Sequence, residues 1–97
     1  MARAFVLSAS DNVATLVDPV RKGDAVSLVG EASATVNSKA EIAYGHKLAI
    51  GAIAKGDAIL KYGKVIGRAT REIGVGDHVH VHNVEALRGR GDKKEAS

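Results

Sequence analysis

The chain contains neither cysteine nor tryptophan. The first absence excludes disulfides and thiolate metal sites. Aromatic residues make up only 3% of the 97 positions, so any core must be built from Val, Ile, Leu and Ala. No apolar run approaches the roughly 18 residues that a membrane-spanning helix needs. Met1–Leu7 carries one Arg and a very short apolar stretch, without the longer apolar region and small-residue cleavage site of a signal peptide, so a cytoplasmic location is the expectation. Charge of one sign is also scarce: the formal net charge is +3. Four of the 14 basic and two of the 11 acidic side chains lie in the last ten residues, leaving 10 and 9 elsewhere. No basic stripe interleaves with aromatics, so neither nucleic acid nor membrane is an expected partner. The Arg90-Gly91-Asp92 tripeptide, in a chain without a secretion signal, reads as coincidence.

What is present is 45% hydrophobic and 26% charged, ordinary for one small soluble domain. Residues 1–87 read as that domain and 88–97 as a polar tail without fixed structure. Short strands are predicted over Ala4–Leu7, Ala25–Val29, Thr35–Val36, Lys47–Ile50, Ala58–Tyr62, Val65–Ala69 and His78–Asn83, with turn signals about every ten residues. Asp11 reads as the N-cap of a short helix over Asn12–Val17, ended by Pro19. Gly23-Asp24, Gly56-Asp57 and Gly76-Asp77 each follow an aliphatic residue (Val20, Ile53, Ile73) three positions before the Gly. This is one turn reused: an anchor, a Gly able to take positive φ and an Asp bonding nearby backbone. The expectation is a mainly β fold of barrel-like compactness with one short helix.

Three of the four histidines fall between His78 and His82. On a strand, His78, His80 and His82 would share one face and Val79 and Val81 the other. Neighbouring imidazoles on that face would be about 6.5–7 Å apart at Cα, close enough to ligate one metal or grip one anion. The fourth, His46, follows Gly45 and precedes Lys47.

Gly45-His46-Lys47, Ile53 and Gly56, Lys61-Tyr62-Gly63, Ile66-Gly67-Arg68-Ala69-Thr70 and Val79-His80-Val81-His82-Asn83, with Asp11-Asn12-Val13 before them, occur in an order that resembles the amino-terminal SAF (β-clip) domain of the altronate/galactarate dehydratase family. The chain is also similar to the small subunit of (2R)-sulfolactate sulfo-lyase. The resemblance covers residues 4–84 and is strongest over Gly45–Asn83. His78 and Val81 depart from the residue types common in that family, and Glu31–Tyr44 matches little.

The resemblance implies a β-clip fold and a lyase component that dehydrates a sugar acid by β-elimination, dependent on iron or another divalent metal such as manganese, and active with a large catalytic subunit or domain. It implies His46, His80 and His82 as catalytic groups, with His80 and His82 as metal ligands whose set a partner completes. Lys47, Lys61, Arg68 and Asn83 are the candidates for binding an anionic substrate, and His78 is left without a role. The bare residues leave other readings open. Lys61 is a solvated cation if Tyr62 is the packed residue, Arg68 pairs with a carboxylate such as Glu72, and Asn83 bonds backbone at a strand end. Alternatives for the whole are a sulfolactate sulfo-lyase small subunit and a non-catalytic SAF module that binds carbohydrate or protein. Self-association into a homo-oligomer stays open.

Overall fold

The computed structural model describes residues 1–86, which form nine strands: β1 (Ala2–Val6), β2 (Val13–Leu16), β3 (Ala25–Gly30), β4 (Thr35–Asn37), β5 (Lys47–Ala49), β6 (Ala58–Lys61), β7 (Lys64–Ala69), β8 (His78–Val79) and β9 (Val84–Ala86). The polar tail expected over 88–97 lies outside the described residues. Six strands make one sheet in the order β4-β3-β1-β2-β5-β8, and three make a second in the order β6-β7-β9. All pairs are antiparallel except β1 with β3. The core contains only Ala, Val, Leu and Ile, as the scarcity of aromatics requires. It forms two clusters. One packs Val6, Leu16, Val26, Leu28, Ile42 and Leu48; the other packs Val13, Ile53, Ile59, Ile73 and Val79. At about 1.5–3 kcal/mol for each fully buried large aliphatic, these clusters are the main stabilising term.

The expected helix at Asn12–Val17 is replaced by β2. Val13, Ala14 and Leu16 are all buried, and the strand is paired on both edges, to β1 and to β5. Burial on both faces in a central position favours an extended β-branched segment over an isolated turn of helix. Asp11 therefore caps no helix. Its carboxylate accepts backbone N–H bonds from Tyr62 (2.9 Å), Gly63 (2.8 Å) and Ser8 (3.2 Å). Asn12 does likewise on the same strand pair: its side chain donates to the Ala58 carbonyl and accepts from the Leu60 N–H. Asp11-Asn12 thus ties the six-stranded sheet to the β6–β7 hairpin. That hairpin turns at Tyr62 (φ 56°) and Gly63 (φ 76°), the two consecutive left-handed residues of a type I′ turn.

The repeated turn occurs four times rather than three. Val20, Ile42, Ile53 and Ile73 each sit in a one-residue bridge, paired Val20–Ile42 and Ile53–Ile73. Three residues on, Gly23, Gly45, Gly56 and Gly76 have φ of 92°, 84°, 91° and 94°. Each Gly N–H donates to a carbonyl of a neighbouring segment, those of Ser38, Leu16, Ala69 and Ala49 respectively. The residue after each Gly accepts a bond back from that same partner's N–H. The fourth copy is Ile42-Ala43-Tyr44-Gly45-His46, with His46 where the others have Asp.

Candidate functional site

The strand expected over His78–Asn83 ends after Val79. Asn83 stops it. Its side-chain oxygen accepts the His80 N–H (2.9 Å), its amide donates to the His78 carbonyl (2.8 Å), and its own N–H donates to the His80 carbonyl (3.1 Å). The residue is only 4% exposed. A turn replaces the last strand residues, so the expected face-to-face alternation fails beyond His80. Val81 is 81% exposed instead of packed, and His82 lies on the exposed tip.

β5 and β8 pair with Lys47 opposite Val79 and Leu48 opposite His78. Continuing that register outward places His46 opposite His80. Leu48 and Val79 anchor the two strands in different core clusters, both completely buried. The ribbon's end thus carries histidines from segments more than thirty residues apart. The His46 and His80 rings stack with centroids 4.3 Å apart and planes at 17°. His78 lies 5.2 Å by centroid from each of them. The Nδ1 of His46 and the Nε2 of His78 are 3.0 Å apart, a contact that one shared proton satisfies when both rings are neutral. One nitrogen from each of His46, His78 and His80 falls within 4.8 Å of the other two. His82 touches only the rim of this group, its ring 5.4 Å from His78 and tilted 44°.

The electrostatics follow from the crowding. Burial, then the neighbouring imidazoles and Lys47, lowers the pKa of both His78 and His80 below the usual imidazole value. These rings are therefore neutral near pH 7, the form that binds metal or accepts a proton. Lys47 is half-buried, and burial followed by the nearby Lys61 charge pulls its pKa down. Lys47 and His80 supply the polar groups of a cleft of about 220 Å³ otherwise lined by Ile59, Ile66, Val79, Val81, Val84 and Ala86. A second cleft, of about 400 Å³, is lined by Pro19, Val20, Glu41, Ile42 and Ala43 together with His46 and His78. The histidine group lies between the two.

Of the residues expected from sequence, His46, His80, His82, Lys47 and Lys61 are brought to one region. Lys61 is half-buried on the side of the fully buried Ile59, its Nζ 4.8 Å over the exposed Tyr62 ring. Asn83 is committed to backbone and positions the histidines. Arg68 is exposed on β7, in register with Glu85, and borders neither cleft. The residue left without a role, His78, is at the centre. The alternation of His78 with His80 carried that signal. The metal-capable group is thus His46, His78 and His80, where the sequence paired His80 with His82. Its donors are all imidazole nitrogens, a set that suits Fe, Co, Ni, Cu or Zn and not Mg or Ca.

A family model described as the altronate/galactarate dehydratase SAF domain matches residues 2–87. The chain is 37% identical over 75 residues to an altronate dehydratase of Bacillus subtilis, covering 77% of this chain and 14% of that enzyme. It is 42% identical over 77 residues to an altronate dehydratase of Escherichia coli, covering 79% of this chain and 15% of that enzyme. It is 42% identical over 53 residues to the (2R)-sulfolactate sulfo-lyase subunit alpha of Paracoccus pantotrophus, covering 55% of this chain and 79% of that subunit. The chain thus spans about one seventh of the dehydratases it matches. No described helix is long and apolar enough to cross a membrane.

Proposed function

The chain belongs to the altronate/galactarate dehydratase SAF domain family, and from that premise we propose that it is the small module of a lyase that eliminates water from a sugar acid of the altronate or galactarate type. The observation that carries this reading is the meeting of the His46, His78 and His80 imidazoles with Lys47 at the end of the β5–β8 ribbon, between two clefts. The reaction breaks the C–H bond α to a carboxylate and the C–O bond at the β carbon, forms a C=C bond and releases water. Its difficult feature is charge building on the carboxylate as the α-proton leaves. Lys47 and Lys61 form a pair of cations suited to hold that carboxylate, and the surrounding Ile59, Ile66 and Val79 exclude water and strengthen the attraction. A divalent metal on the imidazole group would add charge at the same oxygens. His82, on the exposed tip, is the imidazole placed to exchange a proton with a group outside this chain. The described residues hold no carboxylate within the histidine group, so the remaining acid–base groups belong to a large catalytic subunit or domain.

A second reading has its own support: the chain matches most of a sulfo-lyase alpha subunit. There the bond broken at the β carbon is C–S and sulfite leaves. Both readings are tested by combining the purified chain with a dehydratase-type large subunit and assaying altronate, galactarate and (2R)-sulfolactate. Activity is expected only in the combination, with a fall of about 100-fold or more in the His80→Ala/His82→Ala variant. Full activity of that variant in an intact complex, or of the large subunit alone, would overturn the assignment.

A further inference from the structure

We propose that this chain, without any partner, binds one divalent transition-metal ion through His46, His78 and His80 and leaves at least one coordination position open between the two clefts. This goes beyond the lyase reading and does not rest on it.

Geometry comes first. Three ring nitrogens lie within 4.8 Å of one another, and one pair, Nδ1 of His46 and Nε2 of His78, is already at 3.0 Å. Around a tetrahedral ion with metal–nitrogen bonds of 2.0–2.1 Å, neighbouring ligand atoms are about 3.3 Å apart. The structure is therefore within about an ångström or two of that arrangement. The rings now stack, with planes 11–23° apart, whereas converging lone pairs need the planes splayed. The imidazole χ2 is a broad torsion, so rotation about it achieves this without moving backbone.

The backbone, by contrast, is fixed. His46 rides on the Gly45 turn, whose glycine donates to the Leu16 carbonyl and whose His46 carbonyl accepts the Leu16 N–H. His78 is in register on β5. His80 is pinned through its own N–H by the buried Asn83. Three ligands are thus held on three supports, each closed by hydrogen bonds, as a preorganised site requires.

The donor set decides the metal. Three imidazoles and no carboxylate within the group favour copper, nickel, zinc and cobalt over iron and manganese, and exclude magnesium and calcium. Three protein ligands leave the fourth position for water or an anion, the pattern of catalytic rather than structural zinc. The Lys47 and Lys61 cations oppose a second positive charge, and they draw an anionic co-ligand to the open position.

The test is a titration of the untagged, metal-stripped 97-residue chain with Co2+ at pH 7.5, read by visible absorption and by competition with Zn2+. One Co2+ per chain is expected, displaced by zinc. His46→Ala and His78→Ala should each weaken binding by about 100-fold, and His82→Ala by less than about threefold. Circular dichroism on the same samples keeps loss of fold separate from loss of a ligand. His78→Asn, which keeps a polar side chain of smaller reach, should lose binding as His78→Ala does. Absence of saturable binding by the folded wild-type chain would overturn the proposal. So would a His78→Ala variant that binds as tightly as wild type, or a His82→Ala variant that loses as much as His46→Ala. Such a result would leave the lyase reading standing, because a large subunit can bring its own metal.

Discussion

Replacing Asp11 with alanine tests the joint between the two sheets. Asp11 is 8% exposed, and its carboxylate accepts three backbone N–H bonds, two of them from residues 51 and 52 positions away. Hydrogen bonds to a charged group contribute about 1.5–3 kcal/mol each. Their sum overstates the effect, because the Tyr62 and Gly63 N–H groups lie in an exposed turn that water can reach. One further cost enters: Tyr62 holds φ 56° without being glycine, a conformation worth about 1–2 kcal/mol of strain, and its N–H is fixed by this carboxylate. The expected loss for Asp11→Ala is about 3 kcal/mol. Asp11→Asn, which keeps an acceptor but not the charge, should lose about half that. Urea unfolding followed by far-ultraviolet circular dichroism measures both. A pH series adds an internal check. Burial would raise the Asp11 carboxyl, but the N–H bonds from Gly63, Tyr62 and Ser8 outweigh it and hold the pKa below the usual carboxylate value. A depressed folded-state pKa means that stability is present in full above the unfolded value near 3.9 and is lost as pH falls through the folded value. The difference between wild type and Asp11→Asn should therefore shrink on acidification below about pH 4. A loss under 0.5 kcal/mol for Asp11→Ala, or a difference that does not depend on pH, would refute this account of the joint.

Three other substitutions separate the turn's components. Gly76→Ala and Gly56→Ala meet the same backbone penalty, since φ is 94° and 91°. A Cβ at Gly76 would come within 2.2 Å of the Asn37 carbonyl oxygen, whereas at Gly56 it meets nothing within 4 Å. Gly56→Ala should cost about 1 kcal/mol and Gly76→Ala about 3 or more by urea unfolding; equal losses would show that space is not what selects glycine at position 76. His46→Asp should stabilise the metal-free chain by about 0.5–1 kcal/mol, because the carboxylates of Asp24 and Asp77 cap their own turns through the Arg21 and Gly74 N–H groups and the fourth copy has no carboxylate at that position. A destabilised His46→Asp chain would show that the four turns are not equivalent.

β3 and β6 were legible because a Gly-Asp turn announces where each begins, and β7 because it follows the tight turn at Gly63. β3, β6 and β7 fall within a residue or two of the expected spans. β2 was not legible, because Asp11 looks like a helix cap when only its neighbours are in view. Its true partners, Tyr62 and Gly63, lie half the chain away. The alternation Val79-His80-Val81-His82 reads as a strand, yet the Asn83 side chain ends the ladder at Val79 and turns Val81 into solvent. That closure also hid β9 inside the expected end of the domain. In the site, His46, Lys47 and His80 were legible by type and setting. What was not is their meeting, which depends on the β5–β8 register. His78 departs from the residue type that the resemblance implies, although strand periodicity alone puts it on the face of His80.

The fourth turn joins fold to site. In three copies the residue after glycine is Asp, and in two its carboxylate stays within its own turn. In the fourth it is His46, which keeps the backbone bonds of the device, donating from Gly45 to Leu16 and accepting in return. The Nδ1 of the imidazole in this position approaches His78 instead. The repeated scaffold therefore sets where the side chain starts, and one departure from the repeat sets what it reaches. Asn83 does the corresponding work on the other strand: by spending both ends of its amide on His78 and His80 backbone, it ends β8 while the His80 ring still stands over His46. The site thus rests on two places where a regular pattern is interrupted, and both interruptions are held by hydrogen bonds that the regular pattern provides.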